Sequence, residues 1–149
     1  MSTPLFTCRE AGLTEDLSPV IAEIPEFHHI TPQEIRKRTS EGGLLLVAEA
    51  EGRIIGFKLG YEQSPGVFYS WLGGVSPAWR CRGIARELLG LQEAWVKQRG
   101  YPRIGVKSMN HFPAMLHLLI SSGYHIYGVE PGTTPEEDPK ILFEKRLAR

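Results

Sequence analysis

The segment from residue 75 to 89 constrains the fold of this chain most, because it joins a strand to a helix through a turn rich in arginine and glycine. The apolar run 67–75 precedes the turn, and an amphipathic pattern of period three to four follows it. The first turn of a helix carries unpaired N–H groups and about half a positive charge, which stabilise a bound anion. Gly83 lets the backbone approach such an anion, and Arg80 and Arg82 add charge-assisted hydrogen bonds. The segment therefore predicts a phosphate or pyrophosphate site.

Length and composition favour one globular domain over residues 1–149, with 42% hydrophobic and 23% charged residues. The 17 basic residues balance the 17 acidic ones, so no overall field draws the protein to nucleic acid or to an anionic membrane. The sequence shows neither a signal-peptide pattern nor a bilayer-spanning apolar run, and we expect a cytoplasmic protein. Cys8 and Cys81 lack the spacing of metal ligands, so we expect free thiols and no bound metal.

The first half of the chain predicts one short strand, two helices and three hairpin-linked strands. Thr14 and the acidic residues after it start the first helix. The run Thr31-Pro32-Gln33-Glu34 starts the second helix, with a capping threonine, a proline in the first turn and a glutamate three residues after the cap. Glu51-Gly52 is a hairpin turn signal. The predicted strands are 4–10, 44–50, 53–61 and 67–75, and the predicted helices are 14–24 and 31–42.

The second half predicts two helices and three strands. Their ranges are a helix from 84 to Gly100, a strand over 103–109, a helix over 112–122, and strands over 124–129 and 140–146. The complete order is β-α-α-β-β-β-α-β-α-β-β. This order predicts a single α/β domain with a mixed, mostly antiparallel central sheet and helices on both of its faces.

Two common phosphate-binding loops do not fit the arginine-rich turn. A Walker-type loop requires a lysine and a serine or threonine after its last glycine, whereas Ile84-Ala85 follows Gly83. A dinucleotide fingerprint requires three glycines early in a βαβ unit, whereas here only Gly83 fits and the preceding strands are hairpin-linked. The sequence therefore disfavours nucleoside triphosphate hydrolysis and dinucleotide chemistry.

A third type of loop fits. Arg80-x-x-Gly83-x-Ala85, between a strand that ends Val75-x-Pro77 and a helix that continues Arg86-Glu87-Leu88-Leu89, resembles the acetyl-CoA signature of the GNAT superfamily of N-acetyltransferases. The strand end Val106-Lys107-Ser108-Met109-Asn110 and the helix exit Ser122-Gly123-Tyr124 also resemble that family. The order of elements is similar to the family over nearly the whole chain.

The resemblance implies acetyl-CoA as co-substrate, with its pyrophosphate in the turn and its pantetheine arm along the end of the preceding strand. It implies direct transfer of the acetyl group to a primary amine, which is a small molecule or a protein lysine or N-terminus. The oligomeric state is left open, although C-terminal strand edges often pair in this family to form a homodimer. The implied cofactor-binding residues are Leu72, Gly73, Gly74, Val75, Arg80, Cys81, Arg82, Gly83, Ile84, Ala85 and Asn110.

Direct acyl transfer requires a proton donor for the leaving thiolate. Family enzymes often use a tyrosine in a pattern like N-x(6)-Y-x(3)-G-F, and this chain departs from that pattern. Counting seven from Asn110 reaches His117, whereas counting four back from Gly123 reaches Leu119. The glycine is tied to the helix end and is the better anchor, so we expect Leu119 at the tyrosine position, with His117 as the alternative acid.

The reaction also requires a proton acceptor for the amine. Glu62, at the end of the second hairpin strand, and Tyr69, on the third, are the candidates, either directly or through a water chain. Tyr69 stands about where some family members carry a glutamate. His28 and His29 lie between the first two helices, where the family shapes its acceptor pocket, and are candidate substrate contacts.

Three functions remain open from the sequence. The first is an acetyl-CoA-dependent N-acetyltransferase. The second is a CoA-binding module of the same fold that has lost catalysis, which the leucine at the tyrosine position favours. The third is an interaction module in which the turn binds no cofactor.

Overall fold

The protein has one α/β fold with a seven-stranded sheet. The computed structural model describes residues 5–27 and 29–147. Its strands are β1 (Thr7–Ala11), β2 (Leu44–Ala50), β3 (Arg53–Ser64), β4 (Val67–Val75), β5 (Arg103–Met109), β6 (His125–Glu130) and β7 (Lys140–Arg146). They lie in the order β1-β2-β3-β4-β5-β7-β6. Only the central pair of β4 and β5 is parallel, and the other neighbours are antiparallel.

Four α-helices accompany the strands of the described chain. They are α1 (Ser18–Ala22), α2 (Pro32–Arg38), α3 (Ile84–Gln98) and α4 (Pro113–Ser121), with short 3-10 turns at Pro25–Phe27 and Pro77–Trp79. The order of helices and strands confirms the predicted fold class. The prediction succeeds because the apolar residues repeat with period two in the strands and period 3.6 in the helices, and turn residues bound each of these segments.

The first helix begins later than predicted. Its first helical residue is Ser18, not Thr14, because the backbone before it closes a separate turn, in which the N–H of Glu15 donates to the carbonyl of Gly12 at 3.1 Å. The Asp16 carboxylate then accepts from the N–H of Ser18 at 3.0 Å. The acidic residues thus organise the approach to the helix and do not form its first turn.

The second helix starts as predicted and ends early. The hydroxyl of Thr31 accepts from the N–H of Glu34 at 3.1 Å, which is the expected N-cap. The helix stops at Arg38, because the Thr39 hydroxyl donates to the carbonyl of Ile35 at 2.8 Å and the chain turns there.

The sheet separates two cores, one on each face. Alternate residues of β2 illustrate this, since Leu44 and Leu46 face α3 and α4 while Leu45 and Val47 face α1 and α2. Helices therefore cover both faces, so a residue of a central strand is buried whichever way it points. The α3 side also contains Phe68, Ile84, Leu88, Val96, Ile104, Leu119 and Phe143, and the α1 side also contains Leu17, Val20, Ile24, Phe57 and Leu59.

The parallel pair at the centre of the sheet is only half closed. β4 pairs with β5 over Val67–Ser70 and Arg103–Val106. Beyond these residues β4 continues to Val75 beside β3, and β5 continues to Met109 beside β7. The two strands therefore diverge, and we call the opening between 71–75 of β4 and 107–109 of β5 the splay, with its apex at Ser70.

A β-bulge marks the apex of the splay. Gly60 of β3 pairs with Ser70 and Leu59 pairs with Leu72, which leaves Trp71 as an extra residue in β4. A bulge bends its strand and increases the local twist, which turns β4 away from β5 at this level.

The β6 strand forms one edge of the sheet, and three of its apolar residues, Ile126, Tyr127 and Val129, are exposed. An unpaired edge of this kind is able to pair with another chain. The expected homodimer stays a prediction. Within the described residues, no helix is long and apolar enough to cross a membrane.

Replacing Gly60 with alanine should destabilise the protein, because the new Cβ would lie 2.5 Å from Cε1 of Phe68 and 2.7 Å from the carbonyl of Tyr69. The cost should be about 1–3 kcal/mol, the usual range for overpacking. Gly90→Ala is the matched control, since its Cβ meets nothing within 4 Å on exposed α3, and it should stabilise by about 0.5–1 kcal/mol. Urea unfolding of both variants measures the difference, and equal stabilities would contradict the packing at the bulge.

Candidate active site

The turn before α3 exposes a row of unpaired backbone donors. Cys81 and Gly83 have positive φ values of 63° and 85°. Among the described residues, no acceptor receives a hydrogen bond from the N–H groups of residues 81–86, and the first bond of the helix runs from Glu87 back to Gly83. Successive N–H groups in such a turn form an anion-binding concavity, and the dipole of the 15-residue helix adds positive potential.

Gly83 is required by its conformation. A Cβ placed on it would meet nothing within 4 Å, so space does not exclude a side chain. The left-handed φ disfavours other residues, which cost about 1–2 kcal/mol there. Cys81 adopts a similar φ, and its side chain is exposed. Its backbone therefore shapes the turn, and its thiol does not.

Both arginines of the turn are anchored and exposed. Arg80 donates from Nε to the carbonyl of Val75 at 3.1 Å, and its guanidinium lies 3.8 Å from the carboxylate of Glu26. Arg82 stacks 4.6 Å from the ring centre of Trp79, which belongs to the core. These contacts hold two cations at the mouth of the turn.

The splay leads from this turn into the molecule. Residues 72–75 are half-buried, and no strand of the described chain lies beside the edge of β4 that faces the splay. Position 74 requires a glycine for a steric reason, since a Cβ there would lie 2.7 Å from Cε2 of Phe27 and 2.8 Å from Cδ1 of Ile24. The structure thus brings the predicted segments 72–75 and 80–85 together along one continuous path.

Asn110 lies exposed just after the diverging end of β5. The sequence also allows Asn110 to cap α4, because Pro113 three residues later needs no hydrogen-bond acceptor, but this alternative interpretation is wrong. The N-cap position is Phe112, and no side chain caps that helix.

Glu62 lies outside the splay. It pairs with Phe68, on the closed side of the apex, and its carboxylate accepts from the Tyr101 hydroxyl at 2.7 Å. Tyr101 follows the C-terminal end of α3, and α3 is about 22 Å long at 1.5 Å per residue. The rings of Phe68, Trp95 and Tyr101 pack together at this end, with centroids 5.6–5.7 Å apart. The structure does not bring Glu62 together with the turn.

Tyr69 lies beside the apex, on the α1 and α2 side of the sheet. It is 8% exposed, and its ring contacts Tyr61 with a centroid distance of 5.7 Å, while the Lys107 amine lies 5.8 Å from its ring centre. Burial is the largest cause that raises the pKa of Tyr69 to about 12. The hydroxyl is therefore protonated at neutral pH, which suits a hydrogen-bond donor better than a base.

The helix α4 places its two candidates on different sides. His117 is exposed, whereas Leu119 is fully buried in the core beneath α3. The position at which the resemblance expects a tyrosine thus carries an apolar side chain. His29 is exposed between α1 and α2, and His28 lies outside the described residues.

Sequence reasoning missed Lys58, a buried lysine on β3. The side chain is 7% exposed and faces α3, because its neighbours Phe57 and Leu59 both point into the opposite core. Burial lowers the pKa of Lys58 to about 8, and the charge of Glu93 partly opposes that shift. The alternation of β3 was the available signal: in a sheet covered on both faces, the polar residue of an alternating run is also buried.

Lys58→Met should stabilise the protein at pH 7 by up to about 3 kcal/mol, because it removes a cation whose burial lowers its pKa. Below pH 8 both the folded and the unfolded protein carry the charge, so the folded state bears the full cost. Between pH 8 and about 10.5 the unfolded chain retains a proton that the folded protein has lost, so wild-type stability rises and the advantage of the variant shrinks.

The difference in unfolding free energy between wild type and Lys58→Met, measured by urea titration from pH 7 to 10, tests this dependence. Lys97→Met on the exposed side of α3 is the control and should show no such pH dependence. An advantage that stays constant across this range would contradict the lowered pKa.

Comparison with known proteins places this architecture in a family. The model of the acetyltransferase (GNAT) family matches residues 13–124. Acetyltransferase SG1711 of Sodalis glossinidius (strain morsitans) is 30% identical over 113 residues, which are 75% of this chain and 71% of that protein.

Solved structures share the fold at low sequence identity. The IAA acetyltransferase from Bacillus cereus superposes with a TM-score of 0.80 at 17% identity, covering 96% of this chain and all of that one. A GNAT family acetyltransferase from Elizabethkingia anophelis with acetyl-CoA bound gives 0.77 at 17% identity, over 95% of this chain and 98% of that one. The splayed sheet, the turn and the matched segment together show that this chain belongs to the acetyltransferase (GNAT) family.

Proposed function

We propose that this acetyltransferase takes its acetyl group from acetyl-CoA and transfers it directly to a primary amine. The observation that carries the proposal is the continuous path from the unpaired N–H groups of residues 81–86 into the splay. A pyrophosphate suits the first part of this path, and an extended chain of amides suits the second. Acetyl-CoA supplies an activated acetyl group as its thioester.

The residues of the path have distinct roles in binding. The N–H groups of the turn and the guanidinium groups of Arg80 and Arg82 hold the pyrophosphate. The open edge of β4 from Leu72 to Val75 offers backbone donors and acceptors to the pantetheine arm, as an added strand would. Asn110, at the end of the diverging β5, borders the opposite side. Together these roles account for all the predicted cofactor-binding residues, which are 72–75, 80–85 and Asn110.

The acceptor amine reaches the apex from the α1 and α2 side, where aromatic and charged groups converge. The rings of Tyr61 and Tyr69 lie 5.7 Å apart, and those of Tyr61 and Trp71 lie 6.2 Å apart. Arg38 of α2 donates to the Tyr61 hydroxyl at 2.9 Å and stacks 4.6 Å from the Trp71 ring centre. This arrangement gives the Tyr69 hydroxyl a fixed place from which to orient an amine or the acyl oxygen.

A CoA-binding module without catalysis is the second candidate, and the observation that favours it is Leu119, fully buried where the resemblance expects the proton donor. A panel of small amines and of peptides with free lysine or N-terminus distinguishes the two. Release of CoA thiol with any member supports the enzyme, whereas binding of acetyl-CoA without release supports the module.

Arg80→Ala should weaken CoA binding about tenfold, because it removes a charge-assisted bond to the pyrophosphate. Gly83→Val should weaken it further by straining the turn at φ 85°. Isothermal titration calorimetry with CoA measures both variants, and thermal unfolding verifies that they are folded. Arg99→Ala is the control, since Arg99 stacks on Trp95 at the far end of α3. Unchanged affinity in both turn variants would contradict the proposed cofactor site.

Tyr69→Phe should lower kcat about tenfold, because it removes one oriented hydrogen bond near the reacting atoms, while the KM for acetyl-CoA stays within about threefold. Glu62→Gln should leave kcat within about twofold, because its carboxylate is held by Tyr101 outside the splay. Steady-state kinetics with an amine that the panel identifies would check both. A large loss for Glu62→Gln with Tyr69→Phe unaffected would reverse these roles.

A further inference from the structure

Lys58 is a buried cation without a close partner. It is 7% exposed, and within residues 5–27 and 29–147 its amine has neither a hydrogen bond nor an ion pair. Burying a charge in this way costs several kcal/mol, and natural proteins tolerate such a cost mainly where the group has a function.

The amine of Lys58 lies against the strand that borders the splay. Lys58 pairs with Gly73 of β4, and its Nζ and Cγ each lie 3.5 Å from the point that a Cβ on Gly73 would occupy. A Cβ at that point would make ordinary van der Waals contact, so the Lys58 side chain lies directly against Gly73 on the α3 side of β4. The opposite edge of β4 at this level faces the splay.

Other unsatisfied polar atoms lie on this side of the sheet. In the described part of the chain, Ser70 Oγ and both amide atoms of Gln92 are buried without a hydrogen-bond partner. Ser70 lies at the apex, on the same face as Lys58, and Gln92 projects from the middle of α3. Unsatisfied buried groups are costly and usually mark a place where a polar ligand or water binds.

The charged groups around Lys58 leave its amine available. Glu93 is the nearest source of negative potential, but its Oε1 already accepts from Lys145 at 3.0 Å, and Lys145 also donates to the carbonyl of Ser122 at 2.8 Å. Tyr124, beside Glu93, is neutral because burial raises the pKa of its hydroxyl well above the usual value. Lys58 is thus a buried cation that, among the described residues, has no hydrogen bond or ion pair to lose when it contacts a ligand.

We propose that Lys58 contacts the sulfur end of CoA from the α3 side and gives the leaving thiolate its proton, a role that rests on the proposed function above. A pantetheine arm that starts at the turn and follows β4 from Val75 toward the apex at Ser70 passes Gly73, against which the Lys58 amine lies. Leu119 supplies no proton there.

The amine nitrogen of the acceptor forms a bond to the acyl carbon, the bond from that carbon to sulfur breaks, and its electron pair stays on sulfur. Lys58 Nζ passes one proton to the sulfur and becomes neutral. The acceptor nitrogen releases one proton to solvent, and Lys58 takes one back from solvent, so the products are an amide and the CoA thiol.

The acidity of the two groups suits this transfer. An ordinary thiol has a pKa of about 8.5, and burial lowers the pKa of Lys58 to about 8. Proton transfer between groups of nearly equal pKa is close to balanced at neutral pH. An ordinary lysine, with a pKa of about 10.4, would be a weaker donor.

The test follows the thiol of bound CoA and needs no acceptor. A protonated Lys58 beside the sulfur should lower the pKa of the bound thiol, so that the thiolate fraction at pH 7, read from its ultraviolet absorbance, exceeds that of free CoA by about tenfold. Lys58→Met should abolish this excess, and Lys97→Met should retain it. Desulfo-CoA should bind wild type and Lys58→Met within about twofold of each other, which excludes a merely structural role.

Two further variants keep the test decisive if Lys58→Met does not fold. Lys58→Arg should keep the thiolate excess, because it keeps the charge, but should lower turnover, because a guanidinium does not release its proton. Gly73→Leu should reduce the excess, because the atoms beyond its Cβ would compete with the amine, which lies 3.5 Å from that Cβ position. A bound-thiol pKa that is the same in wild type and in a folded Lys58 variant would overturn the inference and leave the proposed function intact. Failure of the wild type to bind CoA would overturn both.

Discussion

The loss of backbone pairing between β4 and β5 is the constraint on which the rest of this structure depends. From Trp71 onward the two strands diverge, and each keeps only its outer neighbour. Backbone N–H and C=O groups that face the interior need partners, because an unpaired buried group costs about as much as a lost hydrogen bond. A sheet that opens at its centre is therefore a preformed place for an extended ligand that carries amides. The turn at the wide end of the opening then selects a ligand whose other end is an anion.

Small residues and one inserted residue adapt β4 to this task. Trp71 is the bulge that redirects the strand, and Gly73 and Gly74 remove side chains on its two faces. Gly74 lets Ile24 and Phe27 approach from the α1 side, and the Lys58 amine packs against Gly73 from the α3 side. The strand is thus lined by apolar groups on one face and by a cation on the other, while its free edge offers only backbone. This asymmetry orients a ligand without any specific side chain of β4.

Charge is distributed unevenly in a chain whose net charge is zero. Arg80 and Arg82 concentrate positive potential at the exposed turn, where water screens their mutual repulsion. Lys58 lies in the interior, where its charge is screened far less and lowers the stability of the folded protein. Lys58 lowers the stability of the folded protein and borders the proposed path of the ligand. It is therefore an example of the trade-off between stability and function that is common at active sites. Lys145 and Glu93, which satisfy each other nearby, form the ordinary kind of partly buried pair.

The sequence by itself determined the order of elements, the N-cap at Thr31, the position of the anion-binding turn and the family. Each of these depends on contacts between residues close in the chain, so local patterns predict them. Local patterns predicted that the first helix starts at Thr14 and allowed Asn110 to cap α4. In both places the backbone forms a separate turn before the helix, so the helix starts later. Local reasoning also made Glu62 a candidate base, although its carboxylate is bonded to Tyr101 on the closed side of the apex. Only the tertiary structure decided that β4 and β5 diverge at Ser70, that Tyr69 is buried, and that Lys58 has no bonded partner among the described residues. These properties depend on pairing and burial between segments far apart in sequence, which a local pattern does not encode.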